Sequence, residues 1–474
     1  MKSFMTKKPA VEMTIVGFGQ AGSRIVDVFA KYQTAEGEQA YNCLALNSND
    51  GDLKELKFID PANRISLNLG GLGKNPEKAM KILANDEKVQ SKMHNFISKK
   101  LRVQDDLVLF VAGLGGGTGT STIVKAIEDF HEIHNKPKIK AVIEAMIKKF
   151  GIDVYKENES EFNKRAFKIA EEQFVKLGVI ACLPLRQDGP DALRQVNNFA
   201  TKIWDLANDV KKSVSFVMFP DNQFFYDGYK GLPIVLKQHF DNYRDYANHE
   251  IASTLHEINT AATQGGTSVV MDAQDLKRVL TEQKGCLIVS KQELASSVVE
   301  TSNDISKLFE KTLSTSNMHE NVSLLTEGGV AKVHHVGLLA ALDSTKDYGN
   351  GGFIENAVES LHERLQVTGT VFSGYVNEKN EHAVTTYAFY KADVLPMRLV
   401  KGLVEEYNEF MDRNKNVTFA SANIEAIEVN ETDKIIDFTL DDLGLGDLVP
   451  KVQKEEKTEP KNILDALNDF DFTL

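Results

Sequence analysis

The stretch that decides the fold of this protein is Gly113-Leu114-Gly115-Gly116-Gly117-Thr118-Gly119-Thr120-Ser121-Thr122. It follows an apolar run at residues 106–111, typical of a buried strand, and precedes a helical pattern at residues 123–133. Glycines let successive backbone N–H groups converge, and the dipole of the following helix attracts an anion. The hydroxyl groups can donate to phosphate oxygens as well. The pattern predicts a phosphate-binding loop without the Gly-Lys-Ser/Thr ending of a Walker P-loop.

A second glycine cluster, Gly17-Phe18-Gly19-Gln20-Ala21-Gly22, joins a strand predicted at residues 11–16 to a helix that begins near Ser23. Alone, the Gly-x-Gly-x-x-Gly spacing suggests a dinucleotide-binding fingerprint. The second predicted strand, however, ends in Asn47-Ser48-Asn49 and not in the acid that would hold an adenosine ribose. Two glycine-rich turns on one sheet favour a nucleoside di- or triphosphate over a nicotinamide cofactor.

Short apolar runs alternate with helical patterns in the first half of the chain. They lie at residues 11–16, 43–46, 106–111, 140–147, 178–185 and 214–219. Buried strands separated by helices predict an α/β domain, with a mostly parallel, Rossmann-like sheet covered by helices on both faces. Ligands of such sheets bind at the carboxyl ends of the strands, so the residues that follow each strand are the candidates for a site.

Beyond this domain the pattern changes twice. Residues 233–262 form a long helical stretch whose apolar face belongs in a core. From Gly285 the predicted strands are fewer and longer, at residues 333–341, 368–375 and 382–390, with helices at 354–365 and 396–413. We therefore expect a nucleotide-binding domain at 1–231, a central helix at 232–264, a loop and helix at 265–284, a second α+β domain at 285–430 and an acidic tail at 431–474.

Negative charge is concentrated at the end of the chain. The 474 residues carry a net charge of −13, and residues 431–474 hold twelve acids against five lysines. This balance argues against broad nonspecific binding to nucleic acid or anionic membrane. The tail places apolar residues among its acids and repeats Asp-Phe-Thr-Leu at 437–440 and 471–474. Since exposed apolar residues invite association, we expect the tail to dock on an adaptor protein or, alternatively, on the protein's own second domain.

Composition limits the remaining classes of protein. No apolar run approaches the roughly 20 residues of a transmembrane helix, and residues 1–9 lead into a strand pattern without a signal peptide. We therefore expect a cytoplasmic protein. Cys43, Cys182 and Cys286 lie far apart in apolar surroundings, which indicates reduced core residues and not a disulfide framework. We expect no metal site built from protein side chains.

The run Gly-Gly-Gly-Thr-Gly-Thr at residues 115–120 resembles the signature of the tubulin and FtsZ superfamily of GTPases. Weaker motifs follow in the family's order. Gly19-Gln20-Ala21-Gly22 resembles the turn that meets the nucleotide, and Asn47-Ser48-Asn49 stands where FtsZ has Asn-Thr-Asp. Gly71-Leu72-Gly73-Lys74-Asn75-Pro76-Glu77 resembles the loop near the γ-phosphate.

Two later motifs extend the resemblance to about residue 285. Phe219-Pro220-Asp221-Asn222 is similar to the Ile-Pro-Asn-Asp of FtsZ, and Met271-Asp272-Ala273-Gln274-Asp275-Leu276 is similar to the loop that completes a neighbouring subunit's site. The second of these is closest to the TubZ branch of plasmid and phage tubulins. Ser23 and Asn49 depart from the family's usual Asn and acid, and residues 136–178 align with no family element.

The resemblance implies GTP and GDP as ligands, with Mg²⁺ held mainly by phosphates and water. Asn248 would contact the guanine edge, and Asp188 and Arg194 the ribose. Asp272 and Asp275 would be catalytic in the next subunit of a head-to-tail filament, whereas the residues alone also allow N-capping of a helix. The implied nucleotide-binding residues are Gly19, Gln20, Ala21, Gly22, Asn47, Asn49, Gly71, Gly73, Asn75, Gly115, Gly116, Gly117, Thr118, Gly119, Thr120, Asp188, Arg194 and Asn248.

The resemblance favours a filament-forming GTPase that segregates or positions plasmid or phage DNA in bacteria, with no direct contact to nucleic acid. An FtsZ-like division protein, whose C-terminal peptide binds a membrane adaptor, is the nearest alternative. A nucleotide-binding scaffold without hydrolysis and a nicotinamide-dependent oxidoreductase are more distant ones.

Overall fold

The computed structural model describes residues 7–414, except 71–74, 210–211, 263–269, 321, 323–324, 327–328, 350 and 379–381. Gly71, Gly73 and the acidic tail therefore lie outside the described residues. The strands are β1 Met13–Phe18, β2 Asn42–Asn47, β3 Arg64–Ser66, β4 Leu107–Gly113, β5 Leu177–Cys182, β6 Val214–Met218, β7 Cys286–Ala295, β8 Leu325–Thr326, β9 Gly329–Val330, β10 Val333–Asp343, β11 Val371–Glu378 and β12 Ala383–Ala392.

The helices alternate with the strands over most of the chain. They are α1 Gly19–Phe29, α2 Asp50–Lys54, α3 Pro76–Asn85, α4 Glu87–Lys100, α5 Gly117–Phe130, α6 Lys136–Phe150, α7 Ile152–Glu157, α8 Glu159–Glu171, α9 Pro190–Asn208, α10 Asn222–Gly231, α11 Ile234–Lys237, α12 Tyr243–Ala261, α13 Ala273–Thr281, α14 Ser302–Ser314, α15 Gly352–Arg364 and α16 Leu403–Asn414.

One large sheet organises the described part of the chain, with the strand order β11-β10-β12-β7-β6-β5-β4-β1-β2-β3. Strands β1 to β7 pair in parallel, and β12 pairs antiparallel with both β7 and β10. The order of the first six strands reverses between β1 and β4, which is where a doubly wound sheet opens a crevice for its ligand. The two glycine clusters follow these two strands. The predicted α/β fold class is confirmed.

Helices cover both faces of the sheet. One face packs α1, α12 and α13 through residues such as Phe29, Ile251 and Leu276, and the other packs α4, α5, α9 and α16. A separate core beneath α14 and α15 supports the second half, where Phe309 and Phe353 are fully buried. The second half thus adds its own core while extending the same sheet, because β7 pairs with β6. The exact domain limits stay a prediction.

Two predicted elements differ from the structure. The strand expected at residues 140–147 is part of helix α6. Apolar residues at 139, 142, 143, 146 and 147 have the helical spacing of three and four. The prediction of a strand was therefore wrong, because these residues repeat with the period of a helix and not with that of a strand. The helix expected at 233–262 is divided into α11 and α12. Helix α12 begins directly after Asn242. The Asn242 side chain accepts hydrogen bonds from the N–H groups of Arg244 and Asp245 and so caps α12.

The three cysteines are buried and free of disulfides, as expected. In the ranges that the structure describes, no helix has the length and apolar character needed to cross a membrane.

Candidate nucleotide-binding site

The two glycine clusters lie against each other at the carboxyl edge of the sheet. A Cβ atom added to Gly19 would stand 2.7 Å from the backbone N of Gly119, and one added to Gly119 would stand 2.8 Å from the carbonyl O of Phe18. A Cβ on Gly22 would collide with the backbone of Val111. Gly19 also has a φ of +67°, which other residues rarely adopt. The clusters therefore form one continuous backbone surface that tolerates no side chain at these positions.

Helix α5 begins at this surface with an open N-terminus. Gly116 is the N-cap residue, and no side chain caps the first amide groups. Such groups lack intrahelical acceptors, and together with the helix dipole they attract anions. Thr118 donates its hydroxyl to Ser48 Oγ at 2.9 Å, whereas the buried Thr120 hydroxyl donates to the carbonyl O of Gly116 at 2.6 Å. Thr120 thus shapes the loop with its side chain.

A polar network joins the first cluster to the end of β2. Gln20 Nε2 donates to Asp52 Oδ1 at 3.0 Å, and Asn47 Nδ2 donates to Asp52 Oδ2 at 2.9 Å. Asn49 caps α2, because its side chain accepts from the N–H groups of Gly51 and Asp52. Sequence reasoning missed Asp52. The sequence did contain a signal for it. Asn49 stands where the family has an acid, and Asp52 supplies a carboxylate three residues later.

Other predicted ligand residues border the glycine surface to different degrees. A Cβ on Gly115 would stand 4.0 Å from Asp188 Oδ2, so Asp188 lies at the edge of the cradle. Its carboxylate also accepts from the N–H of Leu185 at 3.0 Å. Arg194 is exposed on α9, where its Nη2 lies 3.9 Å from Asp191 Oδ1. The structure thus brings Asp188 to the cradle and shows Arg194 in a surface ion pair.

The remaining candidates lie on two further elements. Asn75 caps α3 by accepting from the N–H of Lys78 at 2.9 Å, which fixes the end of the predicted γ-phosphate loop. Asn248 is half-buried on α12 and lines a broad cleft together with Arg24 of α1. Contact of Asn248 with a guanine stays a prediction.

Asp272 and Asp275 lie far from the glycine surface. Lys277, on the same helix α13, places its Nζ 2.5 Å from Asp106 Oδ1, and Asp106 directly precedes β4. Helix α13 therefore stands at the amino edge of the sheet. The seven residues of β4 separate that edge from the glycine surface by roughly 20 Å, at about 3.3 Å per residue. The acid pair cannot reach the cradle of its own subunit.

Within the chain, the two acids form a capping box. Asp275 donates its N–H to Asp272 Oδ1 at 2.9 Å, and Asp272 donates its N–H to Asp275 Oδ2 at 3.2 Å. Asp272 is exposed and Asp275 is partly exposed. The two acids thus have the N-capping role that the residues alone allowed. The capping box leaves carboxylate oxygens facing outward.

The Phe219–Asn222 motif has a structural role at the carboxyl edge. Asp221 accepts from the N–H of Gln223 at 2.8 Å and pairs with Arg398 at 2.5 Å. Burial raises the pKa of Asp221, and the adjacent guanidinium of Arg398 acts against that rise. The pair fixes the chain that leads into α16. Among the described residues, no cluster of three or more His, Cys, Asp or Glu side chains could hold a metal ion.

Comparison with known proteins agrees with this geometry. No protein-family model matches the chain. A curated relative, the tubulin-like protein TubZ of Bacillus thuringiensis subsp. israelensis, is 22% identical over 432 residues, which cover 86% of this chain and 79% of the relative.

Two solved structures share the fold. A GTPγS-form protofilament of TubZ from B. thuringiensis serovar israelensis has a TM-score of 0.62 at 18% identity, covering 87% of this chain and 94% of that one. A TubZ described as a type III plasmid segregation protein has a TM-score of 0.63 at 18% identity, covering 87% and 95%. The fold is that of the tubulin and FtsZ superfamily, and the resemblance predicted from the glycine motifs is confirmed. Within the superfamily, the resemblance is to the TubZ branch.

Proposed function

We propose that this protein binds GTP and hydrolyses it when subunits join head to tail in a filament. One observation carries the proposal: the phosphate cradle and the acid pair lie on opposite edges of one sheet. The cradle of a subunit and the acids of its neighbour meet when the carboxyl edge of one contacts the amino edge of the next.

The cradle supplies binding. Open amides at the start of α5 and the glycine backbone beside Gly19 can surround phosphate oxygens without side-chain obstruction. Gln20, Asn47 and Asp188 stand at its border and can contact sugar and base. Mg²⁺ would arrive with the nucleotide and be coordinated mainly by phosphate oxygens and water, neutralising their charge.

The acid pair supplies catalysis. Hydrolysis needs a water held in line with the γ-phosphate, and a carboxylate can orient that water. Asp272 is exposed at the N-terminus of α13 and can enter the cradle of a neighbouring subunit. GTP hydrolysis would then follow assembly, since neither subunit holds the complete set of groups.

The relatives indicate the biological role. Because the TubZ relatives include a plasmid segregation protein and protofilament structures, we propose that filaments of this protein segregate plasmid or phage DNA in the bacterial cytoplasm. The acidic tail would bind an adaptor carried on that DNA, so that the filament itself needs no contact with nucleic acid.

The proposal is tested by binding and kinetics on the purified protein. Unlabelled GTP should displace a labelled GTP far better than ATP does. The GTPase rate per subunit should rise steeply above a threshold protein concentration, and filaments should appear by electron microscopy at that threshold. Equal displacement by ATP would reject the nucleotide assignment, and a rate per subunit that is independent of concentration would reject the shared site.

A further inference from the structure

A helical extension leaves the amino edge of the sheet. Helix α5, a π turn at His131–Asn135 and α6 form one helical run from Gly117 to Phe150. Asn135 marks the amino edge, because its side chain hydrogen-bonds the backbone of Val175 just before β5. The 15 residues of α6 therefore project about 22 Å beyond the sheet, at 1.5 Å per residue. The chain returns through α7 and α8, and we call residues 136–171 the α6–α8 hairpin.

The hairpin has an uncovered apolar and basic surface. No side chain of α6 or α7 is buried. Phe150 and Tyr155 pack edge-to-face on Phe162, which fixes the tip, yet Phe150, Ile152 and Val154 remain 42–48% exposed. Helix α6 carries five lysines and one glutamate. An ordered apolar tip with a basic stem is typical of a surface that contacts another protein.

A complementary surface lies on α16. Its inner side packs on α9 through the buried Leu403, while Val404 and Met411, together with Val400 in the π turn at Arg398–Gly402 just before the helix, are 42–52% exposed on the outside. Helix α16 carries four acids and one arginine. It thus combines exposed apolar residues with negative charge, whereas α6 combines them with positive charge.

The two surfaces lie on the same face of the sheet and at opposite edges. Phe130 of α5 and Leu403 of α16 belong to the same core, beneath that face. Arg398, in the turn that leads into α16, donates to the carbonyl O of Pro184 at 2.7 Å and to Asp221 Oδ1 at 2.5 Å. Pro184 and Asp221 lie in the loops that follow β5 and β6 at the carboxyl edge. A translation along the strands therefore brings the hairpin of one subunit towards α16 of the next.

We propose that the α6–α8 hairpin of one subunit docks on the exposed face of α16 in the next subunit of the filament. The inference rests on the proposed head-to-tail assembly and adds a second contact to it. Helix α13 stands at the same edge as the hairpin, so both engage the same neighbour. Docking stabilises the junction in which Asp272 enters the cradle. The electrostatic contribution to docking weakens as the salt concentration rises.

Charge reversal tests the contact. Lys148→Glu with Lys149→Glu on α6, or Glu405→Lys with Glu409→Lys on α16, should each raise the critical concentration for GTP-dependent polymerisation at least about fivefold. Combining all four changes should restore it to within about twofold of the unmodified protein. Lys88→Glu with Lys92→Glu, on exposed positions of α4, is the matched control and should have no such effect.

Cross-linking tests proximity directly. The native cysteines are buried, so Val154→Cys and Met411→Cys introduce the reactive thiols. A mixture of the two proteins should form dimers with a short bis-maleimide only when GTP drives assembly, and neither protein alone should do so.

The outcomes separate the two proposals. If the unmodified protein binds GTP but does not polymerise, the proposed function fails and this inference fails with it. If it polymerises normally while the reversed-charge variants match the control, the docking inference alone is overturned. Deletion of residues 431–474 tests the acidic tail as the partner of the hairpin. If the effect of Lys148→Glu with Lys149→Glu disappears in the deleted protein, the hairpin binds the tail, and the proposed docking on α16 is overturned.

Discussion

The two edges of the central sheet use different chemistry. At the carboxyl edge, glycines bring the loops after β1 and β4 into backbone contact and leave the start of α5 uncapped. At the amino edge, Asp272 and Asp275 cap α13 and present carboxylate oxygens outward. In the proposed function, the first edge is complete as a phosphate site within one chain, and the second gains a catalytic role only from contact with another chain.

The two edges also differ in how directly their geometry in one subunit indicates a function. A backbone cradle is specified by local conformation, so one subunit is enough to propose that it binds phosphate. A capping box has a sufficient structural reason to exist, so its geometry in one subunit does not distinguish a cap from a catalytic pair. Variants that act on one edge and leave the other intact separate the two roles.

The largest expected effect is at the carboxyl edge, with Gly119→Ala. The new Cβ would stand 2.8 Å from the carbonyl O of Phe18, and the loops would have to separate. We expect GTP affinity to fall about 1000-fold, or ~4 kcal/mol, measured by equilibrium binding. Gly231→Ala is the control, because a Cβ there meets no heavy atom within 4 Å. Wild-type affinity in Gly119→Ala would place the nucleotide elsewhere.

The next effect is at the amino edge, with Asp272→Asn. Asparagine caps a helix as well as aspartate does, so thermal stability should not change. Without the carboxylate, the GTPase rate in filaments should fall about 100-fold, or ~2.7 kcal/mol, while GTP binding stays intact and filaments persist.

Asp272→Ala separates capping from catalysis. It should show the same loss of hydrolysis and in addition lose ~1 kcal/mol of stability, because the cap is removed. If Asp272→Asn hydrolyses GTP normally and only Asp272→Ala is impaired, Asp272 is a cap and the shared site is wrong.

The carboxyl edge could largely be predicted from the sequence. Gly19, Gly119 and Thr118 were named because glycine-rich turns between a strand and a helix are typical of phosphate-binding loops and because they match the family's motifs, and the structure places them together. Asp52 was not predicted, since its role depends on meeting Gln20 and Asn47 across a gap in sequence. Local conformation is encoded locally, whereas a network between loops follows from the packing of strands.

The amino edge was harder to predict for two physical reasons. The apolar run at residues 140–147 was taken for a strand because short apolar runs occur in helices as well as in strands, and only the spacing of three and four identifies a helix. The second reason is that the hairpin and the acid pair face outward. Packing within one chain therefore does not determine which partner these surfaces contact. The family resemblance, and not the residues alone, pointed to Asp272 as catalytic.

A smaller effect is expected from Lys391→Met, which acts on the support of α13. Lys391 is fully buried on β12 and donates to the carbonyl oxygens of Leu280, Glu282 and Gln283 at the end of that helix. Removing the donor leaves these oxygens unpaired, so unfolding free energy should fall by ~2 kcal/mol at pH 9, measured by denaturant titration.

The same variant has a defined pH dependence. Burial lowers the pKa of Lys391 to about 7, below its value of 10.5 in an unfolded chain. The unfolded state therefore binds more protons between these values, and the wild-type protein gains stability as pH rises from 7 to 10. The deficit of Lys391→Met should shrink as pH falls towards 7. The exposed Lys332→Met is the control, and a deficit independent of pH would contradict the buried titration.

The smallest effect is expected from deleting residues 451–474, which should leave both edges intact. The critical concentration for GTP-dependent polymerisation should change by less than about twofold, or ~0.4 kcal/mol, because cradle, acid pair and hairpin all lie before residue 415. The deletion removes one Asp-Phe-Thr-Leu copy and leaves the other at 437–440. If the tail binds an adaptor through both copies, losing one lowers avidity for that partner without touching assembly. A truncated protein that fails to fold or polymerise would show that the tail packs on the body and that the adaptor interpretation is wrong.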